Sequence, residues 1–125
     1  MPPTCVIVDD SQEFLAASRA MLEREGVTVL GVASTSAEAL ERVQALQPEL
    51  VLVDIDLGAE NGLDLTERLA SLGKWRVVLM SVHAQADFAE LVEASPAIGF
   101  VAKSELSAGA IRALLRGTAG QRMTQ

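Results

Sequence analysis

The feature that most restricts this chain is a fivefold alternation of short apolar runs with helical patterns. The runs are "CVIV" at 5–8, "TVLGVA" at 28–33, "LVLV" at 50–53, "VVLM" at 77–80 and "IGFVA" at 98–102. They are rich in β-branched side chains and lack polar alternation, which is the pattern of strands covered on both faces. The segments between them read as helices. Phe14, Leu15, Ser18, Met21 and Leu22 form a stripe that Gly26 stops. Thr35 and Glu38 form a capping box for a second helix, with Leu40, Val43 and Leu46 facing inward and Pro48 beyond its end. Leu65, Leu69 and Leu72 mark a third before Gly73. Phe88, Leu91 and Val92 mark a fourth before Pro96. Leu106, Ala110, Ile111, Leu114 and Leu115 mark a fifth, which Gly117 ends.

Five βα units with apolar strands imply a parallel five-stranded sheet with helices on both faces. Right-handed crossovers restrict the topology, and the order 2-1-3-4-5 is the flavodoxin-like solution, a (βα)5 three-layer sandwich with its site outside the carboxyl ends of the strands. At 125 residues the chain makes one domain. No apolar run approaches the roughly 20 residues of a membrane span, and Met-Pro-Pro-Thr lacks the basic start of a signal peptide. Cys5 is the only cysteine, so no internal disulfide forms, and in a strand it reads as a small buried hydrophobe. These features point to the cytoplasm. A net charge of −7 with scattered basic residues argues against direct nucleic-acid binding by this domain. The polar, glycine-containing residues 118–125 read as a flexible tail.

The strand ends carry the chemistry. Strand 1 ends in Asp9 and Asp10, strand 3 in Asp54 followed by Ile55 and Asp56, strand 4 in Ser81, and strand 5 is followed by Lys103; strand 2 ends in Ala33 and Ser34 and offers little. The simplest reading of Asp10 is a helix cap, with Glu13 completing a capping box. The other strand ends suggest more. Asp9, Asp10 and Asp54 brought together call for a hard cation, and Mg2+ suits them because it takes oxygen ligands and keeps waters. Lys103 adds a fixed positive charge and Ser81 a hydroxyl. These parts stabilise a phosphoryl group in transfer, and one carboxylate can serve as the nucleophile.

The same residues, at the same spacings, resemble the receiver domains of two-component response regulators over residues 4–117. The acidic pair matches Asp9 and Asp10, and the phosphoacceptor matches Asp54 in "VLVDIDLGAENGLDL" with the family's glycine at Gly62. The Thr/Ser matches Ser81, the lysine Lys103, and the switch aromatic three residues before it Phe100. The resemblance implies that Asp54 takes a phosphoryl group from a histidine kinase or phosphotransfer protein. Asp10 would ligate Mg2+ directly, Asp9 through water and Asp56 through its backbone carbonyl. Lys103 and Ser81 would bind phosphoryl oxygens. Movement of Ser81 and Phe100 would remodel the surface of helix 4, strand 5 and helix 5, for an output domain, a protein partner or a homodimer formed on phosphorylation. The side chains of Asp56 and His83 would flank the hydrolytic water and tune phosphoryl lifetime.

Several positions depart from the family. Gly58 replaces a frequent proline, which implies a looser loop at "LGAENG"; Ser104 replaces the proline after the lysine; Val82 replaces a usual alanine and narrows access to the site. Phrases such as "FVAKSEL" resemble receivers of the helix-turn-helix regulators, while a stand-alone receiver has the same pattern. A second resemblance, of "VLVDIDLG" to the nucleophile motif of haloacid-dehalogenase phosphatases, gives an Mg2+-dependent aspartyl phosphatase as the alternative. A phosphorylation-independent pseudo-receiver is the third.

Overall fold

The structure is a computed structural model that describes residues 2–83 and 88–123. Among the described residues, seven strands and five helices follow one another in the order β1 (Thr4–Val8), α1 (Gln12–Arg24), β2 (Thr28–Ala33), α2 (Ser36–Leu46), β3 (Leu50–Asp54), β4 (Asp56–Leu57), β5 (Glu60–Asn61), α3 (Gly62–Leu72), β6 (Arg76–Ser81), α4 (Ala89–Ala94), β7 (Gly99–Ala102) and α5 (Ala108–Met123), with a 3-10 turn over Lys103–Glu105. β2, β1, β3, β6 and β7 make one parallel sheet in that order. With the two short strands set aside, this is the expected 2-1-3-4-5 arrangement.

The apolar strands divide their side chains between two cores. On β3, Val51 and Val53 pack with Ala39 and Val43 of α2, Leu65 and Leu69 of α3 and Val92 of α4. Leu50 and Leu52 turn to the other face and pack with Leu15 and Leu22 of α1 and Ile111 of α5. This is the two-residue period of a strand buried on both sides. Cys5, Ile7, Val6 and Val8 of β1 divide in the same way.

Several expectations about the helices are corrected. Ser11, not Asp10, caps α1: its hydroxyl accepts from the Phe14 N–H, which leaves the Asp10 side chain free to face the cleft. At α2, Thr35 is the cap as expected, while Glu38 reaches one residue further back to the N–H and hydroxyl of Ser34. Leu46 and Leu72, each the last residue of its helix, are 40% and 51% exposed, and Leu91 is 52% exposed on the short α4. Gly117 does not end α5. The helix continues through it to Met123, so residues 118–123 of the expected tail are helical and 124–125 lie outside the described residues.

The segment after Asp54 is also tighter than its composition implies. β4 and β5 pair antiparallel, Asp56 with Asn61 and Leu57 with Glu60, around a two-residue turn. Gly58 holds φ +71 at the first turn position, a conformation that glycine adopts without steric cost. Glu60 then reaches across to α2, where its carboxylate accepts from the Ser36 N–H at 2.8 Å. A negative group at a helix start is favourable there, so the hairpin is fastened to α2.

Candidate functional site

Asp54 stands at the carboxyl end of the middle strand, with the Asp9–Asp10 pair at the end of the strand on one side and Ser81 at the end of the strand on the other. The register sets Asp54 beside Met80 and Ser81 beside Ala102, so Lys103 leaves the sheet next to Ser81. β7 lies two strand spacings, about 10 Å, from β3. A long side chain closes that distance: Lys103 Nζ donates to Asp54 Oδ2 at 2.9 Å and also meets Asp9 Oδ2.

The carboxylates differ in environment. Asp9 is fully buried; its Oδ1 accepts from the Ser11 N–H at 2.9 Å, and its Oδ2 has the Lys103 ion pair but no hydrogen bond among the described residues. Asp54 is 4% exposed and accepts from the Asp56 N–H through Oδ1 at 3.1 Å. Asp10 is exposed and lines the cleft. Burial holds the Asp54 carboxyl above the ordinary carboxylate range, with the Asp9 charge adding to it and Lys103 and the Asp56 N–H opposing it. Burial pulls Lys103 down, but its bonds to Asp9 and Asp54 outweigh this and hold the ammonium above its ordinary range.

One oxygen each from Asp9, Asp10 and Asp54 falls within 4.8 Å of the others. Lys103 compensates one of the three negative charges. The all-oxygen donors and the surplus negative charge fit a hard divalent cation.

A cleft of about 620 Å³ opens over these groups, lined by Asp10, Asp54, Asp56, Ser81, His83 and Lys103 among others. Seven of the eight expected site residues thus gather in or immediately beneath it. Ser81 is buried, with its hydroxyl accepting from the His83 N–H at 3.0 Å. Val82 is 74% exposed on the cleft wall. Phe100 stands apart: it is buried in the core against Phe88, ring centroids 6.3 Å apart, and Phe88 in turn faces His83 at 6.1 Å. Gly62 is required by close approach, since a Cβ there would run into the backbone of Asp54.

Two participants escape sequence reasoning. Phe14, read only as core, lies under Lys103 with its ring centroid 4.6 Å from Nζ. Glu60, which ties the hairpin to α2, carries no local signal.

A lysine-bridged acidic cluster at the carboxyl edge of a 2-1-3-4-5 sheet defines the receiver class of signalling domain. The chain belongs to the response regulator receiver domain family, whose model matches residues 5–116. The dehalogenase-like phrase around Asp54 is therefore a local likeness. A protein from Pseudomonas aeruginosa named as a transcriptional regulator is 36% identical over 101 residues, 80% of this chain and 49% of that protein. The DNA-binding transcriptional activator EvgA of Escherichia coli K12 is 28% identical over 102 residues, 80% of this chain and 50% of that protein. The chain thus spans about half the length of these relatives. A crystal structure of a response regulator from Burkholderia pseudomallei, described with a phosphorylated aspartic acid, a calcium ion and citrate, superposes with a TM-score of 0.80 at 27% identity, covering 98% of this chain and 71% of that one. Among the described residues no helix is long and apolar enough to cross a membrane.

Proposed function

We propose that this domain takes a phosphoryl group onto Asp54 from the phosphohistidine of a histidine kinase or phosphotransfer protein. The observation that carries the reading is the position of the Asp54 carboxylate: buried at its base, bridged to Lys103 and open to a cleft that Asp10 shares. A carboxylate oxygen of Asp54 attacks phosphorus as the phosphorus–nitrogen bond to imidazole breaks, and the electron pair leaves with the donor's ring. Asp10, with Asp9, Asp54 and the Asp56 carbonyl, would hold Mg2+, which supplies charge neutralisation at the transferring group. Lys103 stays within reach of both the acceptor and the incoming oxygens. The Ser81 hydroxyl, whose oxygen accepts from the His83 N–H, donates its proton to a phosphoryl oxygen. The aspartyl phosphate and bound divalent ion described for the Burkholderia regulator support this assignment.

The output is a changed surface around α4, β7 and α5. Ser81 moves toward the phosphoryl group and Phe100, which has no hydroxyl, responds by packing alone. A partner protein, an attached output domain or a second copy of the domain reads that surface. The DNA-binding relatives make a transcriptional output domain the favoured recipient. Asp56 and His83, which both line the cleft, adjust access of the hydrolytic water, so His83→Ala changes the dephosphorylation rate severalfold.

Incubation with Mg2+ and acetyl phosphate should add one phosphoryl group, read by intact-mass spectrometry and located on Asp54 by peptide mapping. Asp54→Asn and removal of Mg2+ should each abolish it. Unchanged labelling of Asp54→Asn would refute the assignment.

A further inference from the structure

We propose that Phe14 is a positioning residue for phosphoryl transfer, its ring face holding the Lys103 ammonium against Asp9 and Asp54. This rests on the reading of Asp54 as the acceptor. A lysine side chain loses considerable rotamer freedom when it is fixed, and this one projects from the end of β7 across the strand ends. Asp9 and Asp54 restrain the ammonium from the sheet side. From the helix side the restraint is the Phe14 ring, 4.6 Å from Nζ to centroid, and the Lys103 side chain is left only 14% exposed. The negative face of an aromatic ring attracts a cation, and more strongly once water is displaced.

The ring is itself held by the acidic site. Asp9 Oδ1 accepts from the Ser11 N–H at 2.9 Å, and the Ser11 hydroxyl accepts from the Phe14 N–H at 3.2 Å. Phe14 then covers Lys103, and Lys103 returns to Asp9 Oδ2. The four residues close a circuit that fixes the first turn of α1, the lysine and one carboxylate relative to one another. A leucine at 14 would fill much of the same space against the core but offer no negative face. The ammonium would then be held on one side only, hydrated on the other, and displaced for part of the time from Asp54 and from the oxygens of the incoming phosphoryl group.

The test compares Phe14→Leu and Phe14→Tyr in the whole chain. The chain has two lysines, so in protein labelled with 13C-lysine the ε-methylene of Lys103 can be read against Lys74 as a reference. Phe14→Leu should remove the upfield ring-current shift at Lys103 and slow Asp54 labelling by acetyl phosphate roughly threefold to tenfold. Phe14→Tyr, which keeps the ring, should restore both. Loss of the shift with an unchanged labelling rate would overturn the positioning role, as would a slowed rate that tyrosine fails to rescue. Should the wild type take no label at Asp54, the acceptor reading falls instead, and the Lys103 shift alone then decides whether ring and ammonium are in contact.

Discussion

Gly62→Ala is the sharpest test of how the backbone positions Asp54. An alanine Cβ at 62 would overlap the carbonyl oxygen of Asp54 and lie 2.9 Å from both the Asp54 carbonyl carbon and the Ile55 Cα. These are backbone atoms of β3 and the residue after it, so no rotamer change relieves the overlap. The start of α3 must withdraw by on the order of 1 Å to reach ordinary contact distance. That movement breaks the Gly62 N–H bond to the Ile55 carbonyl, 2.8 Å long here, at a cost of about 1 kcal/mol. Overpacking adds about 1–3 kcal/mol, for a total near 2–4 kcal/mol out of a domain stability of about 5–15 kcal/mol. In urea, with a slope of about 2 kcal/mol per molar, the midpoint should fall by roughly 1–2 M. A misplacement of about 1 Å at the acceptor should also slow phosphoryl transfer, by up to about a hundredfold. Gly117→Ala is the internal control. Nothing lies within 4 Å of its added Cβ, and it sits inside α5, so the same substitution should stabilise by about 0.5–1 kcal/mol. Equilibrium urea unfolding of both variants without metal decides the matter. A Gly62→Ala midpoint within error of wild type would refute the close-approach argument.

Three further outcomes are expected. Lys103→Met leaves the buried Asp9 and Asp54 without their cation and should cost about 3 kcal/mol in EDTA. Because the Asp54 carboxyl already titrates above its ordinary value, the deficit should grow as pH rises out of the carboxylate range and shrink as it falls, and Mg2+ should recover part of it; a pH-independent deficit would count against the charge explanation. Glu38 is held below its ordinary range by the Ser34 N–H and hydroxyl, so its contribution is present above about pH 4.5 and lost as pH falls through the lowered value; Glu38→Gln should flatten that acid limb in thermal melts taken from pH 3 to 6. Cys5 is fully buried, and burial pushes its thiol up to about 12, so a disulfide reagent at pH 8 should react only through unfolding, at a rate that climbs with urea; rapid labelling of the native protein would contradict the core assignment.

The strands were legible because burial on both faces leaves no position for a polar residue except the end, so "CVIVDD" and "LVLVD" mark their own carboxyl edges. Knowing the order of the sheet then brings Asp9, Asp10, Asp54, Ser81 and Lys103 to one rim before any coordinate is known. What stayed hidden has three physical sources. The β4–β5 hairpin has two residues per strand, too few for a period, and its geometry follows from one left-handed glycine. Leu46, Leu72 and Leu91 satisfy a helical stripe, yet a stripe does not report where a helix outruns the surface it packs on. Phe14 with Lys103 and Glu60 with Ser36 pair residues from distant elements, which no local window contains. Ser11 and Asp10 are comparable N-caps, so sequence alone gave no reason to prefer the serine that releases Asp10 to the cleft.

The bridge from Lys103 to Asp9 and Asp54 also bears on how the chain is born. Translation releases β1, β2, β3 and β6 before β7, and those four strands are neighbours that pair without waiting for the fifth. A nascent sheet of that kind would hold two carboxylates together without the ammonium that bridges them, because Lys103 is still inside the ribosome or at its exit. The emerging chain is therefore penalised for closing early, and the arrival of the last strand brings both the final edge of the sheet and the charge that permits the centre to dry. Synthesis of the site and completion of folding become a single late event.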